Sequence, residues 1–361
     1  MIKTDNKLTD KSGVNGQIEL LRFLFCMAVL FFHAEKYFLG EPSSLGGFRP
    51  YFFVHGAVGV EFFFVCSGFF MARSIKRDIA KNGAVDIGDS TVKFMLHKIR
   101  SIAPVHITFY ILAFISLIIV RSMGIKDIVK NAFDGIPSFF LIQMLGFKGF
   151  SPNHVSWYLS VMLISMFVIY AFARKYYSVF VKVIAPLLAL FILGYLFLAY
   201  GSLSGVMVRT GIFYKSMLRG FAEILVGMTT YEIAECVSKK ELKRPARVLA
   251  TVLNLIVILG CAVYVIFTLS AKYEFLVIPA SSFLMVTSYS GAGVLSKHMN
   301  NKICVLLGKL TMPVYLSQVT FINLIGYFGK ELSFPVQTLI LAACVFAVSG
   351  VYLWVSGKRH L

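Results

Sequence analysis

Charge is what this sequence has least of. Only 14% of its 361 residues are Asp, Glu, Lys or Arg, with 17 acids set against 35 bases. A water-soluble domain needs a charged and polar exterior, and this composition does not supply one. The six cysteines, Cys26, Cys66, Cys236, Cys261, Cys304 and Cys344, show no Cys-x-x-Cys or other metal-ligand spacing. That leaves no metal site and no disulfide framework to expect, and they read as small apolar residues. No repeat of about 20–50 residues is visible, nor an obvious matched pair of broken helices of the kind many transporters carry, which weakly disfavours a transporter.

What the chain has in excess is apolar surface. Apolar residues make up 58% of it and the mean hydropathy is +0.79. Spanning about 30 Å of hydrocarbon takes about 20 residues at about 1.5 Å each. Apolar stretches fall at 18–39, 56–74, 100–121, 155–173, 179–200, 211–234, 248–269, 275–295, 304–326 and 335–354. The fold expected is therefore an all-α, polytopic membrane helix bundle with about ten transmembrane helices. Its organisation is a cytosolic tail over 1–17, a transmembrane domain over 18–356 and a short cytosolic tail over 357–361, with no room for a separate soluble domain. The first apolar run holds Arg22 and His33 and has no small-residue cleavage site after it, so it is expected to stay as the first helix rather than leave as a signal peptide.

A net charge of +18 raises the question of nucleic acid, and its distribution answers it. With the N-terminus inside, the inner segments collect Lys3, Lys7 and Lys11, then the run from Arg73 to Arg100, then Arg174, Lys175 and Lys182. Further on they gather Lys239 to Arg247, then Lys297, Lys302 and Lys309, and finally Lys358 and Arg359. This is the positive-inside asymmetry; it orients the protein in the bilayer, puts both termini in the cytosol and needs no nucleic acid. Residues 132–150 are apolar but short and broken by Gly135, Pro137, Gly146 and Gly149, and counting them as a crossing spoils the alternation. They read as an outer-face re-entrant or interfacial segment.

An ionisable side chain at mid-membrane costs at least ~2.5–3.5 kcal/mol on insertion scales, so each one calls for a partner or a function. The first helix carries Glu19, Arg22, His33 and Glu35. Eleven residues at about 100° each fall roughly 20° from three full turns, so Arg22 and His33 share a face, ~16 Å apart along the axis. One reading is a polar face lining a path across the membrane. The other pairs Arg22 with Glu19, three residues back, and hydrogen-bonds His33 to a backbone carbonyl. In the second helix Glu61 enters from the outer side to about the depth of His33, where a carboxylate beside imidazole fixes its tautomer and raises its basicity. The alternatives for Glu61 are an outer-loop lysine or simple protonation. Ser67-Gly68 reads as a helix-packing feature.

These residues resemble the acyltransferase-3 family of membrane-bound acyltransferases. The most specific elements are Arg22, ten residues, then His33, followed by GVEFFFVCSGFF at 59–70. Weaker agreement comes from FMLHKIRSIAP at 94–104, SWYLSVMLISM at 156–166 and LGKLTMPVYLSQ at 307–318. The chain departs from the family at Lys98 and Ser101, where two arginines are usual, with Arg100 shifted, and at Gln318, where a histidine often follows. The resemblance implies transfer of an acyl group, most simply acetyl, from cytosolic acetyl-CoA to a hydroxyl of an extracytoplasmic envelope glycan or glycolipid, in a bacterial cytoplasmic membrane. It implies His33, with Glu61 and Arg22, as the catalytic set, and Lys98, Arg100, Arg73 and Arg77 as the basic groups meeting the donor's phosphates. The chain ends at Leu361 just after the tenth expected helix, so either this domain completes the transfer or a separate extracytoplasmic partner does. Two other functions stay open: a transport or binding module of the same family, and an envelope-assembly scaffold whose polar residues only lock helices together.

Overall fold

A computed structural model describes residues 14–40, 52–83, 86–147, 149–267 and 270–358. Lys3, Lys7 and Lys11 of the expected N-terminal tail, and Arg359 of the C-terminal one, lie outside the described residues. The architecture is the expected all-α membrane bundle. Its principal helices are α1 (Gly16–Phe38), α2 (Gly59–Asn82), α3 (Ile87–Arg121), α4 (Ile125–Asp134), α5 (Trp157–Lys175), α6 (Tyr177–Tyr200), α7 (Lys215–Ser238), α8 (Arg244–Ile266), α9 (Glu274–Ser290), α10 (Lys302–Phe328) and α11 (Phe334–Lys358).

Eight of these, α1, α2, α3, α5, α6, α8, α10 and α11, are long and apolar enough to cross a membrane. The two other stretches expected to cross, 211–234 and 275–295, fold as α7 and α9. The first carries Lys215, Arg219, Glu223, Glu232 and Glu235, and the second is only 17 residues long. Both pack inside the bundle against α2 and against each other, where protein rather than lipid surrounds the polar groups. The peripheral α8 and α11 do the opposite, leaving most of their apolar side chains uncovered for lipid.

Two clusters make up the bundle. In one, α10 packs against α1, α3 and α11; in the other, α7 packs against α2, α5, α6 and α9. Hydrogen bonds tie the helix ends together at the end of the bundle where most of the basic residues gather. Asn15 caps α1 and donates to the Ser288 carbonyl at 2.8 Å, and the Gly16 N–H donates to Asn300 Oδ1 at 2.7 Å. Arg174 of α5 bonds Asp78 Oδ2 at 2.6 Å and the Gly83 carbonyl at 2.7 Å, and Lys76 binds both Glu232 and Glu235. At the opposite end Glu35 accepts the backbone N–H groups of Phe52 and Phe53, each at 2.8 Å, which gives this buried carboxylate a structural partner.

Helix α3 begins 13 residues before the apolar stretch at 100–121, because Asp86 caps it through Asp89 N and the basic segment ahead of Pro104 is itself helical. At 35 residues it is about 52 Å long, more than the hydrocarbon thickness. The broken segment 132–150 does not cross. Helix α4, which leads into it, buries none of its residues, and the chain then folds back so that Phe150 N donates to the Asp134 carbonyl at 2.9 Å. A two-stranded hairpin, β1 (Arg209–Thr210) with β2 (Phe213–Tyr214), interrupts the connection from α6 to α7, turning at Gly211 with φ +60°.

Helices α2 and α7 approach closely enough that glycine is required at their crossing. A Cβ on Gly68 meets the Ile224 backbone, and one on Gly227 meets the Val65 carbonyl. This small-residue contact is the packing role expected of Gly68. Gly227→Val is accordingly expected to push the two helices apart and destabilise the protein by about 1–3 kcal/mol. Gly194→Val, at a position with open space around it, is the matched control. Thermal unfolding of both variants in the same detergent checks this, and equal melting temperatures contradict the packing role.

Candidate active site

The two clusters leave two cavities between them, one above the other. The first, about 250 Å³, lies towards the basic end and is lined by Arg22, Cys66, Ser67, Lys98, Ser101, Tyr158 and Thr311, among others. The second, about 760 Å³, lies towards the opposite end and is lined by His33, Lys36, Tyr37, His154, Trp157 and Arg219, among others. Tyr315 lines both. Its hydroxyl donates to the Val155 carbonyl at 3.0 Å, which fixes this shared ring.

The shared face of Arg22 and His33 places each in one of these cavities. Arg22 makes the ion pair with Glu19 at 2.7 Å and still reaches the first cavity. His33 occupies the second. Its Nδ1 lies 3.2 Å from Gln318 Oε1, and the Gln318 amide is oriented by its own Nε2, which donates to the Tyr315 carbonyl at 2.8 Å. With that amide fixed, Oε1 is the acceptor and His33 Nδ1 carries the hydrogen, which leaves the Nε2 lone pair as the basic site of the ring. A second imidazole, His154, stands edge-on to it with ring centroids 5.8 Å apart, and His154 Nε2 is 3.1 Å from the Tyr37 hydroxyl.

Glu61 is not the partner of His33. Its Oε2 accepts from Arg219 Nε at 2.9 Å, and Arg219 Nη1 donates to the Leu203 carbonyl at 2.9 Å. Similar depth along two helices does not make two side chains neighbours: α2 turns Glu61 towards α7, whose buried guanidinium offers an opposite charge, while α10 brings a neutral amide to His33. Of the four basic residues expected at the donor's phosphates, Lys98 lines the first of these two cavities, beside Arg22, and the other three line neither. Arg73 lies over the Tyr289 ring at 5.6 Å, whereas Arg77 and Arg100 are exposed.

Gln318, His154, Tyr37, Arg219 and Tyr315 complete the site without having been expected in it. Signals for two of them are present in the sequence. Gln318 stands at a departure from a family pattern, and Arg219 with Glu223 forms an i, i+4 pair of charges inside an apolar stretch. For His154, no local pattern distinguishes it from a loop residue at a helix start. What places it is Asn153, whose side chain donates to the Leu316 carbonyl at 2.9 Å and so fastens this segment to α10.

Residues 15–356 match the model of the acyltransferase-3 family, described as an acyltransferase domain. No curated protein and no solved structure matches the chain.

Gln318→Leu is expected to leave the fold intact and to free the imidazole, so that nitrogen NMR of histidine-labelled protein changes from one His33 tautomer, with hydrogen on Nδ1, to a mixture. An unchanged His33 signal in that variant shows that another group sets the tautomer.

Proposed function

Because the chain belongs to the acyltransferase-3 family, and is with it a membrane acyltransferase, we propose that it carries an acetyl group from cytosolic acetyl-CoA to a hydroxyl of an extracytoplasmic glycan or glycolipid of a bacterial envelope. The observation that carries this reading is His33 on the wall of the larger cavity with its Nδ1 held by Gln318, which leaves the lone pair to Nε2, and a basic cavity behind it on the same helix face. A neutral imidazole presented in this way is a general base for a hydroxyl group.

In this scheme the acyl donor enters from the basic end. Lys98 and Arg22 draw its anionic part towards the smaller cavity, and its narrow thioester arm passes Tyr315 to reach His33. His33 Nε2 takes the proton of the acceptor hydroxyl as its oxygen bonds to the thioester carbonyl carbon. The C–S bond then breaks, and the same imidazolium returns its proton to the departing thiolate. The products are the ester and the free thiol, with no net change in protons. His154 and Tyr37 lie where they border the acceptor, and Trp157 offers an aromatic face to a sugar ring. Arg22 acts on the donor side, ion-paired to Glu19, and Glu61 acts through Arg219 as part of the cavity wall.

Inside-out vesicles given labelled acetyl-CoA are expected to place label on lumenal glycan, with His33→Ala slowing transfer on the order of a hundred- to ten-thousand-fold. Full activity in that variant sinks the assignment. Lys98→Ala is expected to raise the KM for the donor about tenfold or more, as removal of a charged hydrogen bond worth about 1.5–3 kcal/mol requires. Arg100→Ala, at an exposed position outside both cavities, is expected to change it little. Initial rates against donor concentration distinguish the two, and the reverse ranking moves donor entry to the exposed face of α3.

A further inference from the structure

Beside the larger cavity the bundle buries three carboxyl groups, Glu61, Glu223 and Glu274, together with two cations, Lys215 and Arg219, none more than 4% exposed. Most of this cluster is fully partnered. Glu274 receives the Leu203 and Ser204 backbone N–H groups and the Ser202 and Ser204 hydroxyls, at 2.5–3.1 Å. Lys215 Nζ donates to the Ser204 carbonyl at 2.5 Å, and Arg219 serves Glu61 and the Leu203 carbonyl. Glu223 is the exception. Wholly buried one turn beyond Arg219 on α7, it has no hydrogen-bond donor at either oxygen. Its Oε1 stands 3.7 Å from Arg219 Nε, the same N–H that Glu61 already takes at 2.9 Å, and its carboxyl group lies against that of Glu61.

With every group ionised, three negative charges face two positive ones, all five of them buried in the bundle. An uncompensated buried charge costs several kcal/mol, and two carboxylates in contact repel each other. One added proton cures both faults. It brings the cluster to neutrality and turns a pair of acceptors into a donor and an acceptor. The other titratable groups facing the cluster include Tyr158 of α5, Tyr200 of α6, Tyr264 of α8 and Tyr315 of α10, phenols that bring no charge, and the Trp157 ring lies 5.3 Å from the Arg219 guanidinium.

We infer that Glu61 and Glu223 together form a proton-binding site, in which Glu223 is a carboxylic acid donating its hydrogen to the Glu61 carboxylate while Arg219 holds the other side of that carboxylate. The bound proton keeps Arg219 Nε on Glu61 alone. Through Arg219, which also holds the Leu203 carbonyl and lines the larger cavity, it fixes the 202–204 connection to the cavity wall. This site does not depend on the acyl-transfer reading; it holds whatever the cavity binds.

Infrared difference spectroscopy of the full chain in lipid nanodiscs, with isotope-labelled glutamate, is expected to show the C=O stretch of a protonated glutamic acid at neutral pH. That band is expected to disappear in Glu223→Gln, whose neutral amide can donate to Glu61 as the acid does and which is expected to fold normally. It is expected to disappear also in Glu61→Gln, where Glu223 ionises against Arg219, and this variant serves where Glu223→Gln does not accumulate. Arg219→Gln, which removes a positive charge, is expected to strengthen the band as a second proton is taken up. A wild-type spectrum without the band, or a band unchanged in both glutamine variants, overturns the inference. So does a band that appears only after sodium ions are removed, since a metal cation rather than a proton then neutralises the pair.

Discussion

Hydrocarbon offers no hydrogen bonds, so every polar group carried into it must find its partner within the protein, and this constraint arranges the bundle. The helices do not attract one another through the hydrophobic effect, since lipid tails are as apolar as their side chains. What fixes them is close backbone approach, as where Gly68 and Gly227 let α2 and α7 meet, and polar contacts that cross from one helix to another. Glu61 to Arg219, Asn153 to the Leu316 carbonyl, Lys76 to Glu232 and Arg174 to Asp78 are such contacts, and each joins elements distant in sequence. The apolar α8 and α11 sit at the periphery, and the one buried polar side chain of α8, Asn254, accepts from Thr287 of α9 at 2.7 Å.

The same rule shapes the site. Helix α10 is the member through which its parts are held in common: Tyr315 lines both cavities, the Tyr315 carbonyl orients Gln318, Gln318 orients His33, and the Leu316 carbonyl anchors the segment carrying His154. A departure from the family pattern thus falls at a contact with the histidine of its most specific motif. An amide in this place fixes the imidazole tautomer without adding charge to a buried pocket, which suits the role of base proposed for His33. Charge is concentrated instead on α7, where Arg219 is offset by carboxylates, and at the smaller cavity, where Lys98 stands beside an Arg22 already paired with Glu19.

The sequence by itself determined the solvent, the helices and the existence of a polar face. Composition requires lipid, the apolar runs mark the helices apart from the polar extensions at the end of α2 and the start of α3, and helical periodicity alone puts Arg22 and His33 on one side of α1. The ion pair of Arg22 with Glu19 was legible for the same reason, because it lies within one helix and follows from a spacing of three. Only the tertiary structure decided which helix faces which. Depth along a helix is encoded locally, but azimuth relative to a neighbour depends on how both pack, and so the partner of Glu61 is Arg219, 158 residues away, while that of His33 is Gln318, 285 residues away. Lys98 and Arg100 stand two residues apart and therefore about 200° apart around α3, which is why one reaches the cavity and the other is exposed.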